Sequence, residues 1–108
     1  MVRQISPHDL AQQQANGQRV LLIDVRQLWE HELAALPESL LIPLNDLAHR
    51  SKEIAPDPAT IVVVYCHHGI RSMSAAAFLE RLGVSNVHSL LGGIDAWSCE
   101  VDPTVPRY

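Results

Sequence analysis

The sequence predicts an α/β fold in which a parallel sheet is covered by helices on both faces. Short apolar runs alternate along the chain with segments of helical character, and this alternation is typical of strand–helix–strand units. The clearest runs, at residues 20–23 and 61–65, are continuously apolar. Strands without polar alternation are typical of a sheet that is buried on both faces.

The first predicted element is a helix that begins at Ser6. The Ser6 hydroxyl can cap this helix, and Pro7 suits its first turn. The helix is expected to end near Asn16-Gly17, because glycine readily adopts the left-handed conformation that follows a helix. The strand at residues 20–23 comes next.

Prolines delimit the elements of the middle segment. A helix over residues 27–36 and a short strand over residues 40–42 each stop where a proline follows. The pattern then predicts a helix over residues 44–49 and a rigid, proline-rich loop at residues 56–58.

The strongest strand signal, at residues 61–65, predicts the central strand of the sheet, because β-branched residues dominate it. Four further elements follow: a helix from Ser72 to Gly83, a strand at residues 87–90, a helix at residues 94–97 after Gly92-Gly93, and an extended tail at residues 102–106.

Length and composition predict a single domain over residues 1–108. The net charge of −4 and the lack of a Lys/Arg cluster argue against nucleic-acid binding. No apolar run reaches the ~18 residues of a membrane span, and the N-terminus lacks the apolar core of a secretory signal. We therefore expect no membrane association, a cytoplasmic location and, without a long apolar surface stripe, a monomer.

A cysteine stands where the central strand ends, followed by a glycine and an arginine. The segment is Cys66-His67-His68-Gly69-Ile70-Arg71-Ser72. The helix start and Arg71 both favour the thiolate form of Cys66, which is its nucleophilic form. Loop N–H groups can point inward and cradle an anion, with Gly69 giving the backbone freedom to do so. An inert buried cysteine is the alternative, and this arrangement of neighbours disfavours it.

Two polar positions fall at carboxyl ends of predicted strands. Cys66 follows the central strand, and Asp24 follows the strand at residues 20–23. Ligands of parallel sheets bind beyond such ends, so we expect the site there. The two cysteines, Cys66 and Cys99, form no metal-binding pattern, and a structural disulfide is not expected in a reducing compartment.

The segment from Cys66 to Ser72 resembles the active-site loop of rhodanese-domain sulfurtransferases. Asp24-Val25-Arg26 resembles that family's early strand-end motif, and residues 91–97, Leu-Gly-Gly-Ile-Asp-Ala-Trp, resemble its C-terminal Gly-Gly-x-x-x-Trp signature. The resemblance implies a rhodanese-like α/β fold with a five-stranded, mostly parallel sheet flanked by helices on both faces. It also implies a stand-alone domain that transfers sulfane sulfur with no metal or organic cofactor.

In such a chain the Cys66 thiolate attacks the outer sulfur of a donor such as thiosulfate and becomes a persulfide. A thiophilic acceptor, cyanide or a thiol, then takes the sulfur, so ping-pong kinetics are expected. The predicted partners are a small sulfur donor and acceptor, and a sulfur-relay protein is a further candidate. A carrier module that depends on a partner protein for its persulfide is the alternative function.

A phosphatase or arsenate reductase of the same fold is the third hypothesis. Four residues separate Cys66 from Arg71, whereas the loop of the related cell-cycle phosphatases has one more. The shorter loop suits a sulfur atom better than a tetrahedral oxyanion, which favours sulfur transfer.

The chain departs from the family pattern at two places. Residues 36–39 are Leu-Pro-Glu-Ser, where the family usually has His-Ile-Pro-Gly-Ala, and we expect the change to alter a connection and not the site. Position 67 is often basic in members that use thiosulfate. Here it is His67, which is only partly charged near neutral pH, so the preference for thiosulfate is weaker.

Side chains of the loop have open roles. The rings of His67 and His68 either assist anionic donors and exchange protons, or matter less than their backbone amides. Adjacent side chains rarely converge on one metal ion, and no third ligand is evident nearby, so no metal is expected. Ser72 either caps the helix or also donates a hydrogen bond to the persulfide.

Residues outside the loop have open roles as well. Asp24 is expected to hold a neighbouring loop, while Arg26 either pairs with a local carboxylate or binds an anionic donor. Trp29 either lines the mouth of the pocket or packs on the surface, and Trp97 is expected in the core. Cys99 is a weaker candidate for resolving a Cys66 persulfide as a disulfide.

Overall fold

The computed structural model describes residues 2–54 and 56–108 and shows one five-stranded sheet. The strands are β1 (Arg3–Ile5), β2 (Val20–Asp24), β3 (Leu40–Leu41), β4 (Ile61–Tyr65) and β5 (Val87–Leu90). The helices are α1 (Pro7–Ala15), α2 (Leu28–Leu33), α3 (Leu47–Arg50), α4 (Ile70–Arg81) and α5 (Gly93–Glu100), with 3₁₀ turns at Leu44–Asp46 and Ser51–Glu53.

The strand order is β1-β5-β4-β2-β3, and every pairing between these strands is parallel. The predicted α/β class is confirmed, and the sheet is more uniformly parallel than the resemblance implies. β4 is central as predicted, and its residues Val62 to Tyr65 have no exposed surface. The strand pattern in the sequence misses β1, because Ile5 is the only buried residue of the three and β1 forms by pairing with β5.

Alternate residues of the central strand serve two cores, one on each face of the sheet. Val62 and Val64 pack with Leu79 of α4 and Leu47 of α3. Val63 and Tyr65 pack on the other face, in a cluster that receives the side chains Leu10 of α1, Ile94 and Trp97 of α5. Burial on both faces explains why the strand sequence is continuously apolar.

Several predicted boundaries shift in the structure. The helix predicted over residues 27–36 is shorter, because the chain turns extended at Ala34 and buries Leu36 in the core. The helix predicted over residues 44–49 is divided into a 3₁₀ turn at Leu44–Asp46 and the helix α3 (Leu47–Arg50), and the last helix extends beyond residue 97 to Glu100. No helix in residues 2–54 and 56–108 has the length and apolar character needed to cross a membrane.

The tail beyond α5 is folded back, so the expectation of an extended segment at residues 102–106 is wrong. The Ser98 hydroxyl donates a hydrogen bond to the Val105 carbonyl at 2.6 Å, and Val105 is buried in the core. Asp102 accepts a hydrogen bond from the Thr104 backbone, which closes a turn. This fold-back carries Tyr108 to the edge of the sheet where β2 and β4 end.

Candidate active site

Cys66 lies at the carboxyl edge of the sheet, directly after β4. Asp24 ends the neighbouring strand β2 and pairs in register with Tyr65. The structure thus brings Asp24 and Cys66 to the same edge, where the sequence analysis expects a site. Cys66 is buried, with 1% of its surface exposed.

The loop directs two backbone N–H groups at the Cys66 sulfur. The amide of Gly69 lies 3.1 Å from Sγ and that of Ser72 lies 3.4 Å from it. Gly69 makes this possible by adopting a φ of 99°, in the left-handed region that disfavours other residues. Because α4 begins at Ile70, two residues earlier than predicted, Ser72 lies within its first turn and contributes its amide to the site. The loop is therefore an anion cradle centred on sulfur.

The Gly-Gly motif secures this loop from the other side. The first turn of α5 donates two hydrogen bonds to the loop backbone, from Ile94 N to Cys66 O at 2.9 Å and from Asp95 N to His67 O at 3.1 Å. Gly93 has a φ of 64°, and a Cβ there would overlap the carbonyl oxygens of Cys66 and His67. Only glycine allows the start of α5 to approach the loop this closely.

Two buried serines form a hydrogen-bonded pair beside the Cys66 sulfur. The Ser72 hydroxyl lies 3.5 Å from Cys66 Sγ and 2.7 Å from the hydroxyl of Ser89 on β5. The expectation that Ser72 caps α4 is wrong, because Gly69 occupies the cap position. The sequence analysis did not identify Ser89, although a polar residue within a buried strand is the signal that could have found it.

Arg71 is held by a carboxylate that the sequence analysis did not identify. Its Nη1 and Nη2 donate to Glu30 Oε1 and Oε2 at 2.8 and 2.9 Å. Glu30 lies on α2, and its Oε1 also accepts from the Gln27 backbone at 3.1 Å, which fixes the carboxylate in place. The hydrogen bonds from Arg71 outweigh burial and lower the pKa of Glu30 to about 2. Glu30 is therefore ionised at any pH near neutrality.

Tyr108 joins this pair to a second, fully buried ion pair. Its hydroxyl donates to Glu30 Oε2 at 2.7 Å and accepts from Arg26 Nη1 at 2.7 Å. Arg26 in turn donates from Nε and Nη2 to the two oxygens of Asp24, at 2.8 and 2.7 Å. Burial opposes the charge of Arg26, but its bonds to Asp24 and Tyr108 prevail and its pKa is raised. The pairing of Arg26 with a local carboxylate is the alternative that the structure shows.

Aromatic rings cover the outer side of the loop. The His67 ring stacks on the Tyr108 ring with centroids 3.9 Å apart and on the His68 ring at the same distance. Burial, with the nearby His68, lowers the pKa of His67. Trp29 is 61% exposed and meets Tyr108 edge to face at 5.9 Å, so it packs on the surface beside these rings. Ile70, the first residue of α4, is 79% exposed.

Asp95 is the third potential metal ligand that the sequence analysis did not find near His67 and His68. One ligand atom from each of the three residues lies within 4.8 Å of the others. However, the two imidazole rings are stacked with only 24° between their planes, so their in-plane lone pairs do not converge on one ion. Asp95 is also engaged by Arg107, with its Oδ1 accepting from Nε at 2.9 Å.

The remaining candidates lie apart from the sulfur cradle. Cys66 and Cys99 are both free thiols, the first buried and the second exposed on α5. Trp97 is a core residue as expected. Two cavities, of about 270 and 190 Å³, are lined by Ile54, Pro56 and residues 82–85 and by Leu44, Leu47, Ala48 and Phe78, and neither includes a residue of the Cys66 loop.

Comparison with known proteins places the chain in a family. The family model described as rhodanese-like domain matches residues 6–100. A protein of Allochromatium vinosum named sulfurtransferase is 38% identical over 98 residues, covering 91% of this chain and 90% of that protein. A crystal structure of a rhodanese-related protein from Thermoplasma volcanium has a TM-score of 0.83 at 31% identity, covering 98% of this chain and 99% of that one.

A further relative is a much longer protein. It comes from Ogataea parapolymorpha, is named adenylyltransferase and sulfurtransferase, and is 35% identical over 97 residues. The match covers 89% of this chain and 25% of that protein. Since the family model spans most of the chain and the Cys66 loop and Gly-Gly motif meet at one site, the resemblance found in the sequence is confirmed: the chain belongs to the rhodanese-like domain family.

Proposed function

We propose that the chain is a sulfurtransferase that carries sulfane sulfur as a persulfide on Cys66. The observation that carries the proposal is the pair of amides, of Gly69 and Ser72, aimed at the Cys66 sulfur. Fixed N–H donors of this kind stabilise negative charge on the thiolate and on the persulfide that replaces it. The family to which the chain belongs supports the same chemistry.

The proposed reaction has two displacement steps. In the first, the Cys66 thiolate attacks the outer sulfur of thiosulfate, the S–S bond of the donor breaks, and sulfite leaves with the bonding electron pair. In the second, a nucleophilic acceptor, cyanide or a thiolate, takes the terminal sulfur and regenerates the Cys66 thiolate. No oxidant or proton donor is required for balance, so the loop and its hydrogen bonds suffice.

A protein-dependent sulfur carrier is the second candidate function. The matched region forms only 25% of the Ogataea parapolymorpha relative, whose name joins sulfur transfer to a second activity. The exposed apolar side chains Trp29 and Ile70 suit contact with a protein. In this version the donor, the acceptor or both are proteins, and turnover of small molecules is slow. Either version is proposed to operate in the cytoplasm, where Cys66 remains a thiol.

Steady-state kinetics test the proposal. With thiosulfate and cyanide as substrates, we expect parallel lines in double-reciprocal plots, as for a covalent intermediate. Cys66→Ser should abolish turnover and retain the circular dichroism of the wild type, while Cys99→Ser, which alters the exposed thiol, should keep full activity. Turnover by Cys66→Ser would contradict the proposal. Hydrolysis of an aryl phosphate without sulfur transfer would favour the phosphatase hypothesis instead.

A further inference from the structure

We propose that Glu30 and Tyr108 set the donor specificity of the site, by cancelling the charge of Arg71 and placing an aromatic wall beside it. The site then favours a monoanionic donor with a small apolar substituent over a dianion such as thiosulfate. The choice of donor rests on the sulfurtransferase function proposed above, whereas the charge selection at Cys66 does not depend on it.

The Arg71 guanidinium is engaged by a carboxylate of the same chain. Both terminal nitrogens of its guanidinium bind the Glu30 carboxylate, so the positive charge of Arg71 is compensated within the pair. The Glu30 side chain is only 5% exposed and that of Arg71 is 36% exposed, so the carboxylate side of this pair is shielded from solvent. The Tyr108 hydroxyl donates a further hydrogen bond to the same carboxylate at 2.7 Å and holds it in place.

The other arginines beside the loop are engaged in the same way. Arg26 binds both oxygens of Asp24 and is fully buried. Arg107 binds Asp95, which follows the Gly-Gly motif, at 2.9 Å. Each arginine beside the cradle is thus paired with a carboxylate, so these side chains add no net positive charge around it. The anion is held by neutral amides, which favour a single negative charge at the sulfur and supply no counter-charge for a second one.

Aromatic rings form one wall of the site. The rings of His68, His67 and Tyr108 stack in a row, with Trp29 edge-on to Tyr108, and together they form a largely apolar surface next to the loop. Burial lowers the pKa of His67, which favours the neutral form of its ring. Such a surface contacts a methyl or aryl group favourably and gains nothing from a sulfonate oxygen.

Two donors of nearly equal shape separate these effects. Methanethiosulfonate carries one negative charge, and thiosulfate differs from it by an oxygen anion in place of the methyl group. In both reactions the Cys66 thiolate takes the outer sulfur. The S–S bond of the donor breaks, and methanesulfinate or sulfite leaves with the electron pair, so charge and atoms balance in each case.

The experiment compares kcat/KM for the two donors in wild type, Glu30→Gln and Glu53→Gln. Glu53→Gln is the matched control, because Glu53 is an exposed partner of Arg50 and lies outside the site. Glu30→Gln should shift the donor ratio about tenfold towards thiosulfate, because one uncompensated charge at close range contributes about that factor. Glu53→Gln should leave the ratio unchanged. An equal ratio in wild type and Glu30→Gln would overturn the proposal.

A second probe tests the charge selection without sulfur chemistry. In a Cys99→Ser background, Cys66 is alkylated with iodoacetate, an anion, and with iodoacetamide, its neutral counterpart. Glu30→Gln should raise the iodoacetate rate relative to the iodoacetamide rate by a similar factor. In the protein with native Glu30 this ratio should not fall as salt is added, whereas an uncompensated Arg71 would make it fall. A ratio that falls with salt would contradict the proposal even if Glu30→Gln did not fold.

These two probes distinguish a failure of the proposed sulfur transfer from a failure of the specificity proposal. If neither donor transfers sulfur to the wild type, the proposed function fails for small molecules, and the alkylation ratio still decides the charge selection. If both donors react but no ratio moves in Glu30→Gln, sulfur transfer stands and the specificity proposal is wrong.

Discussion

At the scale of single residues, the site depends on hydrogen bonds to one sulfur atom. Gly69 and Ser72 contact the Cys66 sulfur directly, and the Ser89 hydroxyl forms a hydrogen bond with the Ser72 hydroxyl. When Cys66 is a thiolate, the Ser72 hydroxyl must donate to it, so the Ser89 hydroxyl must donate to Ser72. Ser89 is thus a positioning residue that fixes the direction of the Ser72 hydroxyl.

Replacing Ser89 with alanine tests this chain of hydroxyls. We expect Ser89→Ala to fold, with a loss of stability of about 1 kcal/mol, because a buried hydroxyl hydrogen bond is lost. Persulfide formation should slow several-fold, and the pH profile of Cys66 alkylation should move towards higher pH, because Ser72 no longer supports the thiolate. Ser74→Ala, at an exposed position of the same helix as Ser72, is the control. An unchanged pH profile in Ser89→Ala would show that Ser89 has a packing role and does not position Ser72.

Contacts between residues that are close in sequence can be predicted from the sequence, whereas contacts between distant residues cannot. The Cys66 loop is contiguous, so its sulfur-centred geometry follows from local rules, and the sequence predicts it. Glu30 lies 41 residues from Arg71, and Tyr108 lies 78 residues from Glu30. Nothing in the local pattern around Glu30 distinguishes it from an ordinary surface residue of an amphipathic helix, so only the fold reveals its role.

At the scale of elements, the start of α5 acts as a clamp on the loop. Its first turn donates to the backbone of Cys66 and His67, and Gly93 allows the close approach. The Gly-Gly motif and the cysteine loop are therefore one structural unit, although about 20 residues of helix and strand separate them.

Gly93→Ala should break this clamp. The new Cβ would overlap two carbonyl oxygens, and the left-handed backbone would be strained, so we expect a loss of about 2–4 kcal/mol and slower reaction of Cys66. Gly17→Ala is the matched control, because Gly17 also has a positive φ, of 81°, but nothing lies within 4 Å of its Cβ position. It should cost about 1 kcal/mol. Urea unfolding measures both values, and equal losses for the two variants would contradict the clamp.

Element boundaries show which signals the sequence contains. Continuous apolar runs predict β2 and β4 because burial on both faces requires such runs. β1 is not predicted, because its sequence is Arg-Gln-Ile and the strand forms by pairing with β5. The fold-back of residues 101–108 is not predicted either, because it depends on tertiary contacts. These are the hydrogen bond from Ser98 to Val105 and the burial of Val105 in the core.

At the scale of the whole molecule, the Glu30 carboxylate links α2, α4 and the tail, and this link depends on pH. The pKa of Glu30 is about 2 in the folded protein, against an ordinary value of 4.5. Its contribution to stability is therefore fully present above pH 4.5 and is lost as the pH falls towards 2. The sign follows because the unfolded chain binds the proton at higher pH than the folded one.

Acid unfolding tests this linkage. Between pH 4.5 and pH 2, the free energy of unfolding of Glu30→Gln should fall by about 2–3 kcal/mol less than that of the wild type. Glu53→Gln should follow the wild-type profile closely, because its ion pair is exposed and screened. Urea titrations at several pH values measure the difference. Parallel profiles for Glu30→Gln and wild type would show that the carboxylate does not stabilise the fold.

Intact-protein mass spectrometry shows whether Cys66 carries sulfur. The wild type is incubated with thiosulfate and, separately, with methanethiosulfonate, alongside Cys66→Ser and Cys99→Ser. The account predicts a gain of one sulfur atom in the wild type and in Cys99→Ser, its loss on addition of cyanide, and no gain in Cys66→Ser. A gain that survives in Cys66→Ser, or no gain in the wild type with either donor, would contradict the account of Cys66 as a carrier loaded by small molecules.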